Sequence, residues 1–470
     1  MSDRKLGLGL LVLLGIGSMI GGGIFNSPTD LISTSNPQAT ILAWLIGGIG
    51  VISLAIVFQL LSNKRPELKG GIYSYAKAGF GDFVGFNSAW GYWLSAFLGN
   101  VAFFVLIFKT VNSLLGEGRQ LPPFVSFLLA SLILWLVHYL QTKGTKSAGV
   151  ANAIVTVAKL LPLVLVIMFG IFAFKSDIFL VAEWKTKLAS TGEATTILNQ
   201  IKGAMGTILW CFIGVEAAVV LSERAESPKI VGKATVLSLL ITLLIYVAIS
   251  TIAMGVISAK ELAEAGTPLA DVLSKTLIGP AGAYIVKIGL IVSILGALIS
   301  WVMLAAEIPY VAAKDGVMPK WFSKENEKGV PINSLIITNL VTQLFLVALL
   351  SDKLQNAYYA VFYMATTCIL LPYLFSALYA LKVIKEDKLK GTDLIIALIA
   401  TVYSLYVIYA VGLVYLAAAF IMYALGLIVY YFAKKEKGLK FTTSEKVISL
   451  LIALIAIYMI VQIALGKIKL

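Results

Sequence analysis

Long apolar runs alternate with short polar connectors from one end of the chain to the other. A segment needs about 20 apolar residues to cross the roughly 30 Å hydrocarbon core of a bilayer. Thirteen runs qualify: 6 to 31, 39 to 62, 83 to 112, 123 to 141, 148 to 174, 198 to 223, 233 to 257, 283 to 313, 333 to 351, 355 to 382, 392 to 410, 413 to 433 and 446 to 465. The connectors are too short for a separate soluble domain. The loop 63–82, with its proline, paired glycines and aromatics, suits a short interfacial helix.

Two runs depart from a plain helix. The first contains LLGIGSMIGGGIF, Leu13 to Phe25, with five glycines. Each interior glycine costs about 1 kcal/mol against alanine, and Gly21, Gly22 and Gly23 leave consecutive backbone N–H groups unshielded. Gly17 and Gly21 also match a GxxxG packing pair, but three glycines in a row exceed what packing requires. Unwound backbone at membrane depth persists only where protein or a watery cavity satisfies it. The stretch therefore predicts a binding site. The sixth run carries LWCFIGVEAAVV, in which Gly214 stands between β-branched Ile213 and Val215 and is followed by the intramembrane carboxylate Glu216. Five runs precede it, and the sixth to tenth can form a matching unit; because five is odd, that unit is inverted. Interrupted helices at corresponding positions of inverted repeats point to a transporter's midplane site. The chain then divides into residues 1–175 and 198–382 as two five-helix repeats, and 392–470 as peripheral C-terminal helices.

Composition agrees with this reading. Of 470 residues, 59% are hydrophobic and 13% charged, with mean hydropathy +0.94. A soluble surface needs about a quarter of its residues charged, so the chain is an all-α polytopic membrane protein. The net charge of +13 follows topology. With Arg4 and Lys5 in the cytoplasm, alternate connectors carry Lys64, Arg65, Lys69 and Lys77, then Lys143 and Lys146, then Arg224, Lys229 and Lys233, and so on to Lys434 and Lys435. The opposite connectors hold fewer, chiefly Arg119, Lys175, Lys185, Lys187, Lys260, Lys275 and Lys353. That is the positive-inside asymmetry, an orientation signal that calls for no nucleic acid partner. The first run lacks a small-residue cleavage site and reads as a retained span. Cys211 and Cys368 fall inside helices, against a disulfide framework. His138 has no companion ligands, so no metal or cofactor is expected.

Polar groups at membrane depth narrow the search. Ser95 and Asn100 lie in the third run, Lys159 and Pro162 in the fifth, Trp301 and Glu307 in the eighth, Thr366, Thr367 and Pro372 in the tenth. A lysine in mid-bilayer is costly unless paired. The threonines could equally bond back to their own helix. The last three runs lack intramembrane charge and read as peripheral scaffold or as an oligomer surface, such as that of a homodimer.

The stretches GIGSMIGGGIF, FLGN, LWCFIGVEAAVVLSERAESP and AAEIPYVAAKDGVMPKWF together resemble the amino acid-polyamine-organocation (APC) superfamily over the first ten spans. GVEAAVVLSERAES and KGGIYSYAKAGFGDFVGF are similar to the bacterial arginine:ornithine exchangers among its basic amino acid antiporters. The resemblance implies a 5+5 inverted-repeat fold with discontinuous helices 1 and 6, plus two or three extra C-terminal spans, 12 or 13 in total. It implies a carboxylate-binding turn at Gly21, Gly22 and Gly23, with a glycine at 22 where a relative has a serine hydroxyl, so that only main-chain N–H groups hold the carboxylate. The α-ammonium would meet carbonyls at Met19, Trp210 and Ile213. The polar contact of the third helix falls on Asn100, with Ser95 and Ala96 nearby; Thr366 is a weaker candidate. The gating aromatics fall on Trp210 and Trp301, the carboxylate after the broken sixth helix on Glu216. Lys159 stands where sodium-linked relatives bind an ion.

The chemistry holds without the name. Half-helix N-termini suit a carboxylate, unwound carbonyls suit an ammonium, and aromatic faces hold cations. The reading is an amino acid transporter in the cytoplasmic membrane, exchanging arginine for ornithine, with a cationic amino acid and the lipid bilayer as its partners. Its rivals are a proton-coupled permease, kept open by Lys159, and an amino acid sensor with a transporter fold. An enzyme would need a nucleophile–base or metal constellation, and none is visible. Nor does the sequence place an acidic residue to read a guanidinium.

Overall fold

The computed structural model describes residues 6–468 apart from 117, 223–224 and 351–353, and the side chains of 145–154 and 354–360 are also left undescribed. Arg4, Lys5, Arg224, Lys353 and the Lys146 side chain lie outside the described residues. The architecture is helical, with only two isolated β-bridges, Leu6 to Ala225 and Lys187 to Ala194, among the described residues.

The first predicted run is two helices, α1 (Leu8–Met19) and α2 (Gly23–Ile32), bent by 42°. Then come α3 (Pro37–Lys64), α4 (Ile72–Phe80), α5 (Asp82–Leu115), α6 (Pro123–Thr142), α7 (Thr145–Ala173) and the short α8 (Ser176–Phe179). The sixth run is α9 (Ile197–Phe212) and the single turn α10 (Ala217–Val220). It is followed by α11 (Pro228–Val256), α12 (Ala259–Glu264), α13 (Pro268–Ser274), α14 (Pro280–Lys314), α15 (Ile332–Phe345), α16 (Leu354–Glu386), α17 (Gly391–Val411), α18 (Leu413–Glu436) and α19 (Thr443–Ala464). Proline at the first turn of α3, α6, α11, α13 and α14 starts those helices where its missing N–H costs nothing.

Eleven described helices are individually long and apolar enough to cross a membrane, and the bent α1–α2 pair makes twelve. At 16 residues α9 is too short alone, so an interrupted helix stands at the sixth run. A helix thus occurs at every predicted apolar run. α4 is the helix expected in the 63–82 loop, whereas α12 and α13, in the connector after α11, carry no apolar run and were invisible to that pattern.

Burial sorts the helices into centre and periphery. The most apolar window of α5 is 89% buried, that of α19 only 17%. α5 packs on α14 and α16, and α1 on α7 and α11. The start of α1 is tied to the chain after α10, where the Glu226 N–H donates to the Leu6 carbonyl at 3.0 Å. Both interrupted spans are therefore held in the centre, side by side.

Candidate substrate site

The chain between α1 and α2, and that between α9 and α10, meet at one buried cavity of about 20 Å³. Ser18, Met19, Gly21, Gly23, Ser95, Gly99, Phe103, Trp210, Ile213 and Trp301 line it. That volume holds about one water. A larger guest requires the aromatic walls to part.

At the first break, side chains from other helices occupy the freed carbonyls. Trp301 Nε1 donates to the Ser18 carbonyl at 2.9 Å and the Tyr246 hydroxyl to that of Met19 at 2.7 Å. Ser293 Oγ reaches the Gly21 carbonyl at 3.3 Å. One turn earlier, fully buried Lys159 donates from Nζ to the Gly17 carbonyl at 2.5 Å. The partial negative charge at the C-terminal end of α1 favours a cation there. The donors are treated differently. The Gly21 N–H turns back to the Met19 carbonyl at 2.9 Å, and no side chain caps α2. The first N–H groups of α2 have no carbonyl one turn earlier to accept them, and Gly23 brings that terminus to the cavity wall.

At the second break, the Glu216 carboxylate accepts the Gly214 N–H at 3.1 Å and the Tyr373 hydroxyl at 2.5 Å. Ser18 Oγ crosses to the Gly214 carbonyl at 2.9 Å, joining the two breaks. Gly214 has φ +110°, and a Cβ there would lie 2.9 Å from the Ser18 backbone carbon. Only glycine suits both demands. Among the described residues nothing donates to the Ile213 carbonyl.

The cavity thus brings together Met19, Gly21, Gly23, Ser95, Trp210, Ile213 and Trp301 of the residues the sequence singled out. Others stand elsewhere. A Cβ on Gly22 would point at Leu106 and Ile294, away from the cavity. Thr366 bonds back to the Phe362 carbonyl at 2.8 Å, because a threonine in a helix satisfies itself one turn up. Ala96 is buried outside the lining. Neighbouring Gly99, not Asn100, forms the wall, and both side-chain polar atoms of Asn100 are buried without a hydrogen-bond partner among the described residues. Glu216 and Lys159 act on the breaks and do not reach the cavity. Of the three carbonyls implied for an ammonium, that of Met19 is saturated by Tyr246 and Gly21, and that of Trp210 accepts the Ile213 N–H at 3.2 Å. Ile213 alone keeps its carbonyl open.

The sequence reading missed Ser18, Gly99 and Phe103. Ser18 and Gly99 sit inside the quoted stretches, one residue from positions that were singled out. Phe103 lies one turn beyond Gly99 on the same face of α5, a periodicity that could have found it. Trp210 stands between Phe103 and Phe362, with ring centroids 6.4 and 4.9 Å away; Trp301 stacks on Tyr92 at 6.4 Å. His138 pairs through Nδ1 with Asn339 Nδ2 at 3.0 Å, and Cys211 and Cys368 are buried free thiols.

Similarity to known proteins runs the length of the chain. It is 42% identical over 462 residues, covering 95% of each protein, to an arginine/ornithine antiporter of Pseudomonas aeruginosa. It is 36% identical over 470 residues, 99% of this chain and 98% of the relative, to an arginine/ornithine antiporter of Latilactobacillus sakei. An arginine/agmatine antiporter of Chlamydia pneumoniae is 36% identical over 483 residues, 100% of this chain and 99% of the relative. The amino acid permease family matches residues 6–422. With both interrupted helices inside that match, the chain belongs to the amino acid permease family of the APC superfamily and is a multi-pass membrane transport protein.

Proposed function

We propose that this protein exchanges external arginine for internal ornithine across the cytoplasmic membrane by alternating access. Its N-terminus lies in the cytoplasm, and residues 1–175 and 198–382 act as two inverted repeats that rock about the cavity. The observation that carries the reading is the complementary polarity of the two breaks. The uncapped start of α2 takes the substrate carboxylate, and the Ile213 carbonyl takes the α-ammonium. Met19, Gly21, Gly23, Ser95, Trp210 and Trp301 enclose the rest, and the Trp210 ring holds a cationic side chain. The names of the relatives from Pseudomonas and Latilactobacillus supply the substrate pair.

Arginine and ornithine carry the same net charge near neutral pH, so one-for-one exchange is electroneutral. Lys159 at the Gly17 carbonyl provides a tethered cation beside the broken helix, so the exchange needs no sodium. Counterflow in proteoliposomes tests both statements. Labelled arginine enters vesicles loaded with ornithine or arginine, and sodium gives no stimulation. Robust uptake into empty vesicles would overturn exchange in favour of a proton-coupled permease. Agmatine, which the chlamydial relative's name suggests, lacks the carboxylate that α2 is built to receive and should compete poorly.

A further inference from the structure

Small residues on α3 let its neighbours come close. A Cβ on Gly47 would lie 2.6 Å from the Ile208 side chain of α9, and one on Gly50 2.1 Å from the Tyr403 ring of α17. Such glycines let helices approach in a membrane. α3, α9 and α17 pack pairwise on one another, while the bulkier residues beside those glycines stay outside the contact. The result is an apolar groove of about 640 Å³ on the outer face of the helices, against about 20 Å³ for the substrate cavity. Ile46, Ile49, Leu198, Ile201, Val402 and Tyr406 line it, and Leu198 and Val402 are 78% and 64% exposed. One end of the groove carries a charge. Lys202, next to Ile201 on α9, holds its ammonium 4.3 Å from the ring centroid of Tyr409, which lies one turn beyond Tyr406 on α17. Among the described residues Lys202 has no hydrogen bond or ion pair. The three helices offer it no anion, since Asp393 is their only Asp or Glu and stands at the opposite end of α17. A lysine inside an apolar run is costly unless its charge is met, and an aromatic face meets it only in part. Tyr409 is close to the end of α17, the membrane–water boundary where tyrosines gather.

We propose that this groove is a binding site for a membrane phospholipid with an anionic headgroup, its acyl chain lying between Ile49 and Val402 and its phosphate on the Lys202 ammonium. One molecule then meets both demands of the surface, hydrocarbon for the groove and an anion for the cation at its end. Basic pockets between membrane helices recognise anionic headgroups in this way, and the flexible stem of lysine carries its charge to the interface while the methylenes stay in the apolar layer. A second copy of the chain suits the groove less well. In a two-fold contact the same face meets itself, and around Lys202 the three helices of that face bring no carboxylate. The site lies against α9, the interrupted helix that carries Trp210 and leads into the Ile213 carbonyl, so a bound lipid braces this helix against α3 and α17. With the N-terminus in the cytoplasm, α9 begins outside and the lipid belongs to the outer leaflet. None of this depends on which amino acids are carried.

The test is native mass spectrometry of the full-length protein in detergent, titrated with phosphatidylglycerol or with phosphatidylcholine of the same acyl chains. Phosphatidylglycerol should bind more tightly and raise the thermal unfolding midpoint further. Lys202→Gln should weaken phosphatidylglycerol binding by roughly tenfold or more, the scale of a lost charge-assisted hydrogen bond, and leave phosphatidylcholine unchanged. Lys202→Arg should keep the preference, and Val402→Trp, which fills the groove, should weaken both lipids. Lys435→Gln, at the far end of α18, is the control and should change neither. Should Lys202→Gln lower stability by itself through the loss of its contact with Tyr409, Lys202→Arg and Val402→Trp decide the matter. Equal binding of the two lipids by the unsubstituted protein, or equal effects of Lys202→Gln and Lys435→Gln, would overturn the proposal. So would a dimer that Val402→Trp dissociates whichever lipid is present, which would give the groove to a second copy. Arginine counterflow, present or absent, bears on the exchanger reading and not on this site.

Discussion

The two interrupted helices solve the same problem, exposed backbone in the middle of a membrane protein, in opposite ways. The break between α1 and α2 is stabilised from outside. Lys159, Trp301, Tyr246 and Ser293, on three other helices, all donate to its carbonyls. The break between α9 and α10 is closed largely by its own chain, with the Glu216 carboxylate two residues on accepting the Gly214 N–H. The first therefore has its acceptors consumed and the donors of α2 left at the cavity, while the second has a donor consumed and the Ile213 carbonyl left over. Unwinding a helix liberates donors and acceptors together. Which of them the rest of the fold satisfies decides the sign of the charge each break can bind.

Gly214→Ala attacks the second break and should have the largest effect. Its φ of +110° strains any L side chain, by about 1 to 3 kcal/mol, and the new Cβ collides with the main chain at Ser18. Counterflow should be abolished and the thermal unfolding midpoint lowered; normal transport would show that the strained turn is dispensable.

At the first break, Gly22 and Gly23 give a sharper contrast. A Cβ on Gly23 falls 2.9 Å from the Trp210 ring, whereas one on Gly22 meets only the flexible ends of Leu106 and Ile294. Gly23→Ala should lower apparent arginine affinity by about tenfold, equivalent to about 1.4 kcal/mol, and Gly22→Ala should change it little, with equal membrane insertion of both. Competition binding to purified protein measures this, and equal effects would deny that the two glycines face different surroundings.

Ser293→Ala should be mildest. Its hydroxyl reaches the Gly21 carbonyl at 3.3 Å, a long bond whose loss costs about 0.5 to 1.5 kcal/mol. Thermal unfolding should drop slightly and arginine affinity fall no more than severalfold. A larger loss of affinity than Gly23→Ala would shift the weight of the first break from its donors to its carbonyls.

The sequence determined a good deal on its own. Long apolar runs predict helices because a bilayer demands internal hydrogen bonding of every backbone group, and Gly21, Gly22, Gly23 and Gly214 are visible because glycine at membrane depth violates the pattern around it. The same local anomaly drew attention to Lys159 and Glu216. What the sequence could not rank was orientation and partnership. Glycines 22 and 23 are identical as letters, yet one packs on Leu106 and the other on Trp210. Met19 and Ile213 each own a carbonyl, yet Tyr246, 227 residues from Met19, consumes the first. Local sequence specifies where backbone is set free, but hydrogen-bond partners arrive from helices remote in the chain. Only the tertiary structure decided which freed groups remain for a substrate.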